Sequence, residues 1–282
     1  MTEHIDLHTH STCSDGTLTP IELVDLAARR RLKGIALTDH DTVAGVSEAI
    51  RRGKEKNVEI LPGIEVSSHH NSTSLHILAY GIDHENPGFL DFVKKLQEAR
   101  DRRNQAITAR FSELGIPINS DELTASAADQ IGRPHFARLL VKHKVCQNVQ
   151  DAFTFYLKRG APAFVEHERP TADEVIHQIG KAGGLAMLAH PACTDPTLEK
   201  IPALTAQLKN MGLAGIEIYY PTHSHKVFLT LQKIASEQDL LPCGGTDFHG
   251  DKHSNTPLGG SAKTIRIPAH VWNAIKNRLD GR

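Results

Sequence analysis

The sequence predicts an α/β fold, a barrel of about seven strands interrupted by an all-helical insertion subdomain. Two observations lead to this prediction. Short apolar or β-branched segments recur along the 282 residues, and most are followed by a helical pattern, which indicates a parallel sheet. About seven strands in a chain of this length favour a barrel over an open sheet. The alternation stops over residues 84–162, where the patterns are helical throughout.

The predicted strands are short and are spread over both halves of the chain. In order they are Ile5 to His8, Gly34 to Thr38, Glu59 to Val66, Leu75 to Tyr80, Gly184 to His190, Gly215 to Tyr219 and Leu240 to Gly245. Two helix starts can be read between them. Thr19 is a candidate N-cap before Pro20, and Thr171 precedes a helix over Ala172 to Lys181.

The helical block divides the chain into three parts. Residues 1–83 form the first part of the barrel, residues 84–162 the insertion and residues 163–282 the second part of the barrel. Helices are predicted in the insertion over Gly88 to Leu114, Pro134 to Lys144 and Val149 to Arg159. Because an all-helical block within a β/α pattern is most simply an insertion after one strand, we expect it to cap one end of the barrel.

Charge and composition exclude some partners. The 32 Lys and Arg residues against 33 Asp and Glu residues give a net charge of −1, so no broad basic surface for duplex DNA is expected. The N-terminal segment lacks a signal-peptide pattern, and no apolar run is long enough to span a membrane. The four cysteines are isolated, which argues against a disulfide framework. We expect a cytoplasmic protein. The sequence does not indicate its oligomeric state.

The first strand contains an H-x-H pair. Alternation along a strand predicts that Ile5 and Leu7 face the covering helices. Asp6, His8 and His10 would then point together into the barrel, where two imidazoles can share one metal ion. In a chain with 18 histidines such a pair is a weak signal by itself.

Further metal-ligand residue types follow the other strands. A single one would more often be an ordinary core or surface residue, but a set placed at strand ends indicates the active-site face of a β/α barrel. Imidazoles and carboxylates without thiolate suit Mn, Fe or Zn, and nine ligands are too many for one ion. We therefore expect two or three divalent metal ions. The candidate ligands are His8, His10, Asp15, His40, Glu65, His76, His190, Asp247 and His249.

These motifs resemble the series found in the PHP (polymerase and histidinol phosphatase) superfamily. They are Asp6 to Ser11, Thr38 to Asp41, Gly63 to Glu65, Ala189 to Pro191 and Gly245 to His249. The resemblance implies a distorted (β/α)7 barrel with a two- or three-metal phosphoesterase site. It also implies the ligand sets: His8, His10, Glu65 and Asp247 for one metal, Glu65, His76 and His190 for a second, and Asp15, His40 and His249 for a third.

The insertion carries a further match, the segment Gly132-Arg133-Pro134-His135 and the segment over residues 153–160. In the PHP branch that hydrolyses nucleoside 3′,5′-bisphosphates or short RNA, similar segments bind phosphate. The resemblance thus implies substrate binding by Arg133, His135 and Lys158, although two of these could be ordinary solvated charges. Arg100, Arg102 and Arg103 are predicted to lie on a helix surface.

The resulting functional hypothesis is a phosphoesterase acting on nucleotide phosphate monoesters through metal-bound hydroxide. The substrate we expect is a nucleoside 3′,5′-bisphosphate, which would lose its 3′-phosphate, with 5′-to-3′ hydrolysis of short oligonucleotides as a related activity. Asp247, His249 and Glu65 are the candidate catalytic residues, and Mn is the expected metal. Three further functions stay open: a histidinol-phosphate-type phosphatase, an amidohydrolase acting on a C–N bond and a non-catalytic metal-binding domain.

Overall fold

The structure is a computed structural model that describes residues 4–125, 130–250, 256–261 and 264–281. These residues form strands at β1 His4–Thr9, β2 Leu32–Leu37, β3 Glu59–His70, β4 Thr73–Tyr80, β5 Leu185–Leu188, β6 Gly215–Tyr219, β7 Leu241–Gly244 and β8 Ile267–Pro268. The helices that flank them are α1 Pro20–Arg29, α2 Val46–Lys56, α7 Ala172–Lys181, α8 Pro191–Thr194, α9 Ile201–Asn210, α10 His225–Glu237 and α11 Ala269–Asp280. None of the described helices is both long and apolar enough to cross a bilayer.

The strands form one sheet in the order β7-β6-β5-β4-β3-β2-β1-β8. Beyond β7 the chain returns to β1, where Phe248 pairs with Thr9 in a parallel bridge. The sheet is therefore a nearly closed barrel, and the predicted α/β barrel is confirmed. All seven predicted strands are present, and the two-residue strand β8 is an addition.

The prediction of a parallel sheet is wrong for β4. This strand pairs antiparallel with both β3 and β5, and β8 is antiparallel to β1. Between β3 and β4 lie only Asn71 and Ser72, which suffice for a hairpin but not for the crossover that a parallel pair needs. His76 therefore lies near the start of β4, paired with Ser67 of β3, and not at a strand's carboxyl end.

The side-chain alternation predicted for β1 is also wrong. Ile5 and Leu7 do not face the covering helices but pack in the barrel interior with residues of the other strands. His8 and His10 nevertheless lie beside the other candidate ligands, because the pairing of β1 with β2 shifts register between Asp6 and Thr9. Asp6 instead accepts hydrogen bonds from the backbone N–H groups of Thr246 and Gly259, so it fixes two neighbouring loops.

Two apolar layers hold the barrel. Inside the barrel, Leu78, Met187 and their neighbours pack against Trp272 of α11, and this helix closes one end of the barrel. A Cβ at Gly34 would lie 2.5 Å from the Trp272 ring, so glycine is required at that contact. Outside it, α1, α2, α7, α9 and α10 cover the outward side chains of the strands.

The segment between β4 and α7 is helical in its described part. It contains α3 Pro87–Glu113, α4 Ser120–Ala125, α5 Arg133–Lys142, α6 Val149–Ala152 and a π-helix over Phe153–Leu157. The first half of α3 packs on the barrel through residues such as Phe92, whereas Ile107 and Phe111 belong to a separate apolar cluster with α5 and the π-helix. The division at residues 84 and 162 stays a prediction.

Candidate metal centre

Glu65 on β3 lies at the centre of a group of imidazoles. Its side chain is 1% exposed. Oε1 lies 2.7 Å from Nδ1 of His76 and 2.9 Å from Nε2 of His190. Oε2 lies close to a ring nitrogen of three more histidines: 3.1 Å from His40, 3.2 Å from His8 and 3.3 Å from His10. One carboxylate thus connects donor side chains from β1, β4 and the loops after β2 and β5.

Asp247, in the loop after β7, supplies a second carboxylate to the same cluster. Its Oδ1 lies 3.3 Å from Nε2 of His8 and 3.1 Å from Nε2 of His10. Its Oδ2 accepts a hydrogen bond of 2.8 Å from the hydroxyl of Tyr220. The backbone of Asp247 has φ +52°, an unusual conformation for a non-glycine residue, and one that this loop must hold to present the carboxylate.

A third group of donors lies beside these two. Nε2 of His249 is 3.1 Å from Oδ1 of Asp15, and its Nδ1 lies 2.8 Å from the backbone oxygen of Asp247. The ring of His249 stacks on that of His10, with 4.2 Å between centroids. This third group therefore lies directly beside the first two, with the ring of His10 in contact with both.

All nine predicted ligand residues come together at this rim, and all of them except His190 supply donor atoms to three groups whose members lie within 4.8 Å of one another. The group of His8, His10, Glu65 and Asp247 is the one that the resemblance implies. The group at Asp15 contains His10 in addition to the implied Asp15, His40 and His249. In the remaining group His40 takes the place predicted for His190, although Nε2 of His190 also contacts Glu65. The groups are His8, His10, Glu65 and Asp247; His10, Asp15, His40 and His249; and His40, Glu65 and His76.

The electrostatics of the cluster suit a cation. Burial alone would raise the pKa of Glu65, but the charges of neighbouring imidazoles, that of His8 among them, hold that pKa well below its usual range. Burial lowers the pKa of His40 to about 3, so this imidazole is neutral. Nδ1 of His40 is buried and has no hydrogen-bond partner among the described residues. A neutral imidazole nitrogen beside carboxylates is a divalent metal ligand, so the residues present fit such an ion.

Glu217 on β6 is a site residue that sequence reasoning missed. Its side chain is fully buried, Oε1 lies 3.0 Å from Nδ1 of His8, and Oε2 accepts a hydrogen bond of 2.7 Å from the backbone N–H of His190. A carboxylate behind a ligating histidine fixes its tautomer and orientation. The signal was available, because the tripeptide Gly215-Ile216-Glu217 repeats the Gly63-Ile64-Glu65 pattern of an acid on an apolar strand.

Two buried aspartates hold the loops around the site. Asp39 accepts hydrogen bonds from the backbone and hydroxyl of Ser11 and from the hydroxyl of Ser14, at 2.6–2.7 Å. Asp41 accepts from the backbone N–H of Ser67 and pairs with Nε of Arg100 at 2.5 Å. Both carboxylates therefore support residues next to the donors.

The predicted substrate residues of the insertion have different surroundings. His135 on α5 is fully buried, and its Nδ1 accepts from the backbone N–H of Gly132, which leaves Nε2 as a buried donor without a partner in the described chain. Arg133 is half-buried and lies over the ring of Phe153 at 5.7 Å. The side chain of Lys158, just after the π-helix, is exposed.

The prediction of a helix surface is correct for one of the three arginines on α3. Arg102 is exposed and pairs with Glu168. Arg100 and Arg103 are only 8% and 7% exposed, which corrects the prediction for both. They are buried because α3 lies between the barrel and the rest of the insertion, so that two of its faces are covered.

Comparisons with known proteins agree with this geometry. A family model described as the PHP domain matches residues 6–169. A 5′-3′ exoribonuclease from Haemophilus influenzae is 36% identical over 252 residues, which cover 88% of this chain and 91% of that protein. A 3′,5′-nucleoside bisphosphate phosphatase from Chromobacterium violaceum is 31% identical over 278 residues, which cover 98% of each.

Two solved structures have the same fold along the whole chain. One is described as an amidohydrolase from Chromobacterium violaceum with bound sulfate and no metal; it has a TM-score of 0.88 at 32% identity and covers 98% of this chain and 96% of its own. The other is assigned as a metal-dependent phosphoesterase from Bifidobacterium adolescentis, with a TM-score of 0.87 at 30% identity and 99% coverage of both chains.

Proposed function

This chain belongs to the PHP domain family, and we propose that it is a metal-dependent phosphoesterase that removes the 3′-phosphate from nucleoside 3′,5′-bisphosphates. The observation that supports this most directly is the set of eight donor residues, Glu65 among them, whose ligand atoms form three groups within 4.8 Å. A set of this size and chemistry is suited to two or three divalent ions, and Mn is the metal we propose, with Fe or Zn next in suitability.

The residues that would hold the ions are those of the three donor groups. When bound, divalent ions at this rim would lower the pKa of a water molecule and neutralise charge on phosphate oxygens. The carboxylates of Glu65 and Asp247 and the imidazole of His249 are the proposed catalytic groups. Tyr220 orients Asp247 through its hydrogen bond, and Glu217 orients His8.

The reaction is a hydrolysis. The oxygen of water forms a bond to the 3′-phosphorus, the bond from phosphorus to the ribose 3′-oxygen breaks, and that oxygen receives a proton. The products are a nucleoside 5′-phosphate and inorganic phosphate. Because such a transition state needs mainly positioning and charge neutralisation, basic side chains near the metal centre contribute directly to its stability.

The helical insertion provides such side chains, and we propose that residues 84–162 cap the substrate site. Contacts between this segment and the metal-site loops support the proposal: Nη2 of Arg138 donates to the backbone oxygen of Asp15, and the N–H of Gln130 donates to that of Cys13. Among the predicted substrate residues, His135 has a buried donor without a partner in the described chain and Arg133 is half-buried, whereas Lys158 would contribute only a solvated charge.

A second candidate is 5′-to-3′ hydrolysis of short oligonucleotides. The relative from Haemophilus influenzae, at 36% identity, is a 5′-3′ exoribonuclease, and that activity needs the same metal centre. The first nucleotide of a 5′-phosphorylated RNA carries a 5′-phosphate and a 3′-phosphodiester. These are the two positions that carry phosphate in a nucleoside 3′,5′-bisphosphate. The two activities are therefore compatible in one site.

An amidohydrolase, a histidinol phosphatase and a non-catalytic metal domain receive less support. Amidohydrolases often bridge their metals with a modified lysine, whereas the side chain shared by two of the donor groups here is the carboxylate of Glu65. A histidinol phosphate carries a single phosphate, and the buried donors of the insertion would then have no role. A non-catalytic metal domain would not require a cap that carries phosphate-binding groups.

The test is phosphate release with added Mn²⁺ from adenosine 3′,5′-bisphosphate, beside AMP, histidinol phosphate and a short 5′-phosphorylated RNA. We expect the bisphosphate to be the best substrate and AMP to be its product, identified by chromatography. Stepwise release of mononucleotides from the RNA at a higher kcat/KM would make the exonuclease activity primary.

Asp247→Asn and Glu65→Gln serve as controls, since both should abolish turnover and lower the metal content measured by elemental analysis. Full activity in either variant would contradict the assigned site. Absence of phosphorus chemistry on all four compounds, in protein shown to carry its metals, would overturn the proposed function.

A further inference from the structure

A basic groove lies at the end of the barrel opposite the metal centre. It is a cavity of about 650 Å³ next to the first residues of β1, β2 and β3, where α1 and α2 end. We define the basic groove by four of its lining residues, Arg30, Arg31, Lys33 and Lys56. The metal donors of β1 and of the loop after β2 lie at the other ends of these strands, so the groove is separate from the candidate metal centre.

A quarter of the positive side chains of the protein lie on two segments that meet at this groove. Residues 29–33 and 51–56 contain eight of the 32 Lys and Arg residues, in a chain whose net charge is −1. Two nearby acids are already paired: Asp25 lies 2.8 Å from Nε of Arg52, and Glu59 lies 2.9 Å from Nζ of Lys276. The groove therefore carries an excess of positive charge, which attracts anions from solution.

The side chains of the basic groove are accessible to a partner. Arg30, Arg31 and Lys56 are exposed, and Lys33 is half-buried. Long, flexible side chains of this kind contact phosphates without reading the identity of the bases. They differ from the buried Arg100, whose guanidinium pairs with Asp41. The groove thus suits a chain of phosphates better than a single small ligand held in a fixed geometry.

The helix dipole explains only part of this charge. Positive side chains at the carboxyl end of a helix are favourable, but the effect falls off within the last turn. That turn holds Arg29 in α1, and Lys54 and Lys56 in α2. Arg31 and Lys33 lie beyond the end of α1, and Lys33 is already part of β2, so the dipole does not account for these two cations. A role in binding does.

The groove is within reach of a nucleic acid chain held at the metal centre. Helix α1 starts five residues after the donor Asp15 and ends beside the groove. Its 10 residues span about 15 Å. A stacked nucleic acid strand advances about 3.4 Å per nucleotide, so about ten nucleotides suffice to extend from the rim along the outside of the barrel to the groove. A nucleoside bisphosphate or a dinucleotide is too short to reach it.

We propose that the basic groove binds the phosphate backbone of a single-stranded RNA whose 5′ end lies at the metal centre. A single strand is the expected occupant because the charge is confined to one concavity, whereas a duplex needs a broad basic surface. The groove would favour RNA of about ten nucleotides or more over shorter substrates of the same metal centre. This inference rests on the proposed function for the identity of the polyanion.

The binding experiment uses the metal-loaded protein and a fluorescent phosphorothioate RNA of about 20 nucleotides, which keeps the backbone charge and resists hydrolysis. Arg31→Gln and Lys56→Gln should each weaken binding about 2- to 5-fold at physiological salt, the effect of one exposed ion pair. Each lost phosphate contact should also reduce the slope of log K against log salt by about 0.7. Lys233→Gln on α10 is the matched control for Lys56→Gln, because both lysines are exposed and lie 3.7–3.8 Å from a carboxylate oxygen.

A kinetic comparison separates this inference from the proposed function. For hydrolysis of a 5′-phosphorylated RNA of the same length, Arg31→Gln and Lys56→Gln should raise KM and retain kcat. Adenosine 3′,5′-bisphosphate cannot reach the groove, so its kcat/KM should equal the wild-type value in both variants. Weaker RNA binding by the two variants, but not by Lys233→Gln, supports the groove even if wild type hydrolyses neither compound.

Three results would overturn the inference. RNA affinity and salt dependence equal to wild type in both groove variants would show that the groove does not contact the RNA. An equal loss of kcat/KM for the bisphosphate would assign the effect to the metal centre or to the fold. A duplex of the same length that binds as tightly as the single strand would contradict the proposed occupant.

Discussion

Nδ1 of His8 lies 3.0 Å from Oε1 of Glu217, while Nε2 of the same ring lies 3.2 Å from Oε2 of Glu65. The imidazole thus spans two buried carboxylates, one at the metal rim and one behind it. The other oxygen of Glu217 accepts the backbone N–H of His190. A single glutamate therefore positions two donor histidines that are far apart in sequence.

Replacing Glu217 should weaken metal binding although it is not itself in a donor group. In Glu217→Gln the amide offers only one acceptor, so either His8 or the N–H of His190 loses its partner. We expect a 10- to 100-fold loss of Mn²⁺ affinity in a calorimetric titration, which is typical for residues behind a ligating histidine. Glu237→Gln on the exposed face of α10 is the control. Equal affinity in both variants would show that Glu217 has no such role.

Tyr220→Phe removes the hydroxyl that donates to Asp247 and keeps the ring. A hydrogen bond to a charged group contributes about 1.5–3 kcal/mol, so kcat should fall by about 10-fold or more. Tyr219→Phe is the matched control, because its ring packs against Phe228. If both variants had wild-type kcat, the orientation of Asp247 by Tyr220 would be irrelevant to turnover.

The grouping of the candidate ligand residues could be predicted from sequence because each is a polar residue at the end of, or within, an apolar segment, as Glu65 is. The alternation of β1 could not, because the register shift after Asp6 comes from how the strand fits its neighbours. The burial of Arg103 was missed for a related reason: charge predicts solvent exposure unless the faces that cover a helix are known. Glu217 was missed although its pattern repeats that of Glu65.

The buried pair of Arg100 and Asp41 should be important for stability. Arg100→Met leaves a buried carboxylate without its partner, so we expect the free energy of unfolding in urea to fall by about 3–5 kcal/mol. The double variant Arg100→Met with Asp41→Asn should recover part of that loss, because the unpaired charge is gone. A double variant as unstable as the sum of the single changes would argue that the two side chains act independently.

His135 should make the protein sensitive to acid. Burial lowers its pKa in the folded state to about 4, below the value of 6.5 expected when unfolded. Between those values the unfolded chain binds a proton that the folded chain does not, so stability is lost as the pH falls from 6.5 toward 4. The loss should approach about 3 kcal/mol for this group.

His135→Asn keeps an acceptor for the N–H of Gly132 without the titrating ring. Urea unfolding of metal-free wild type and variant at pH 7 and pH 5 is the measurement. We expect a smaller decrease in stability between the two pH values for the variant. The same decrease in both proteins would assign the acid sensitivity to other groups.

Gly245, directly after β7, permits close contact with β1. A Cβ at this position would lie 2.3 Å from the backbone nitrogen and the Cβ of His8. Gly245→Ala should therefore destabilise the fold by about 1–3 kcal/mol and reduce metal affinity, as His8 is displaced. Gly180→Ala in α7, where nothing lies within 4 Å, should instead stabilise by about 1 kcal/mol. If Gly245→Ala and Gly180→Ala shifted the melting temperature in the same direction, this prediction would be wrong.

The hairpin of β3 and β4 has a consequence for the order of folding. Its two antiparallel strands, joined by a turn at Asn71, carry Glu65 and His76, so the side chains of these two donors meet by closing a short loop. The remaining donors come from β1, from the loops after β1 and β2, and from loops in the second half of the chain, and bringing them together closes longer loops at a higher entropic cost. Two donors of the candidate metal centre, Glu65 and His76, can therefore come together early in folding. The donors from distant parts of the chain join them later.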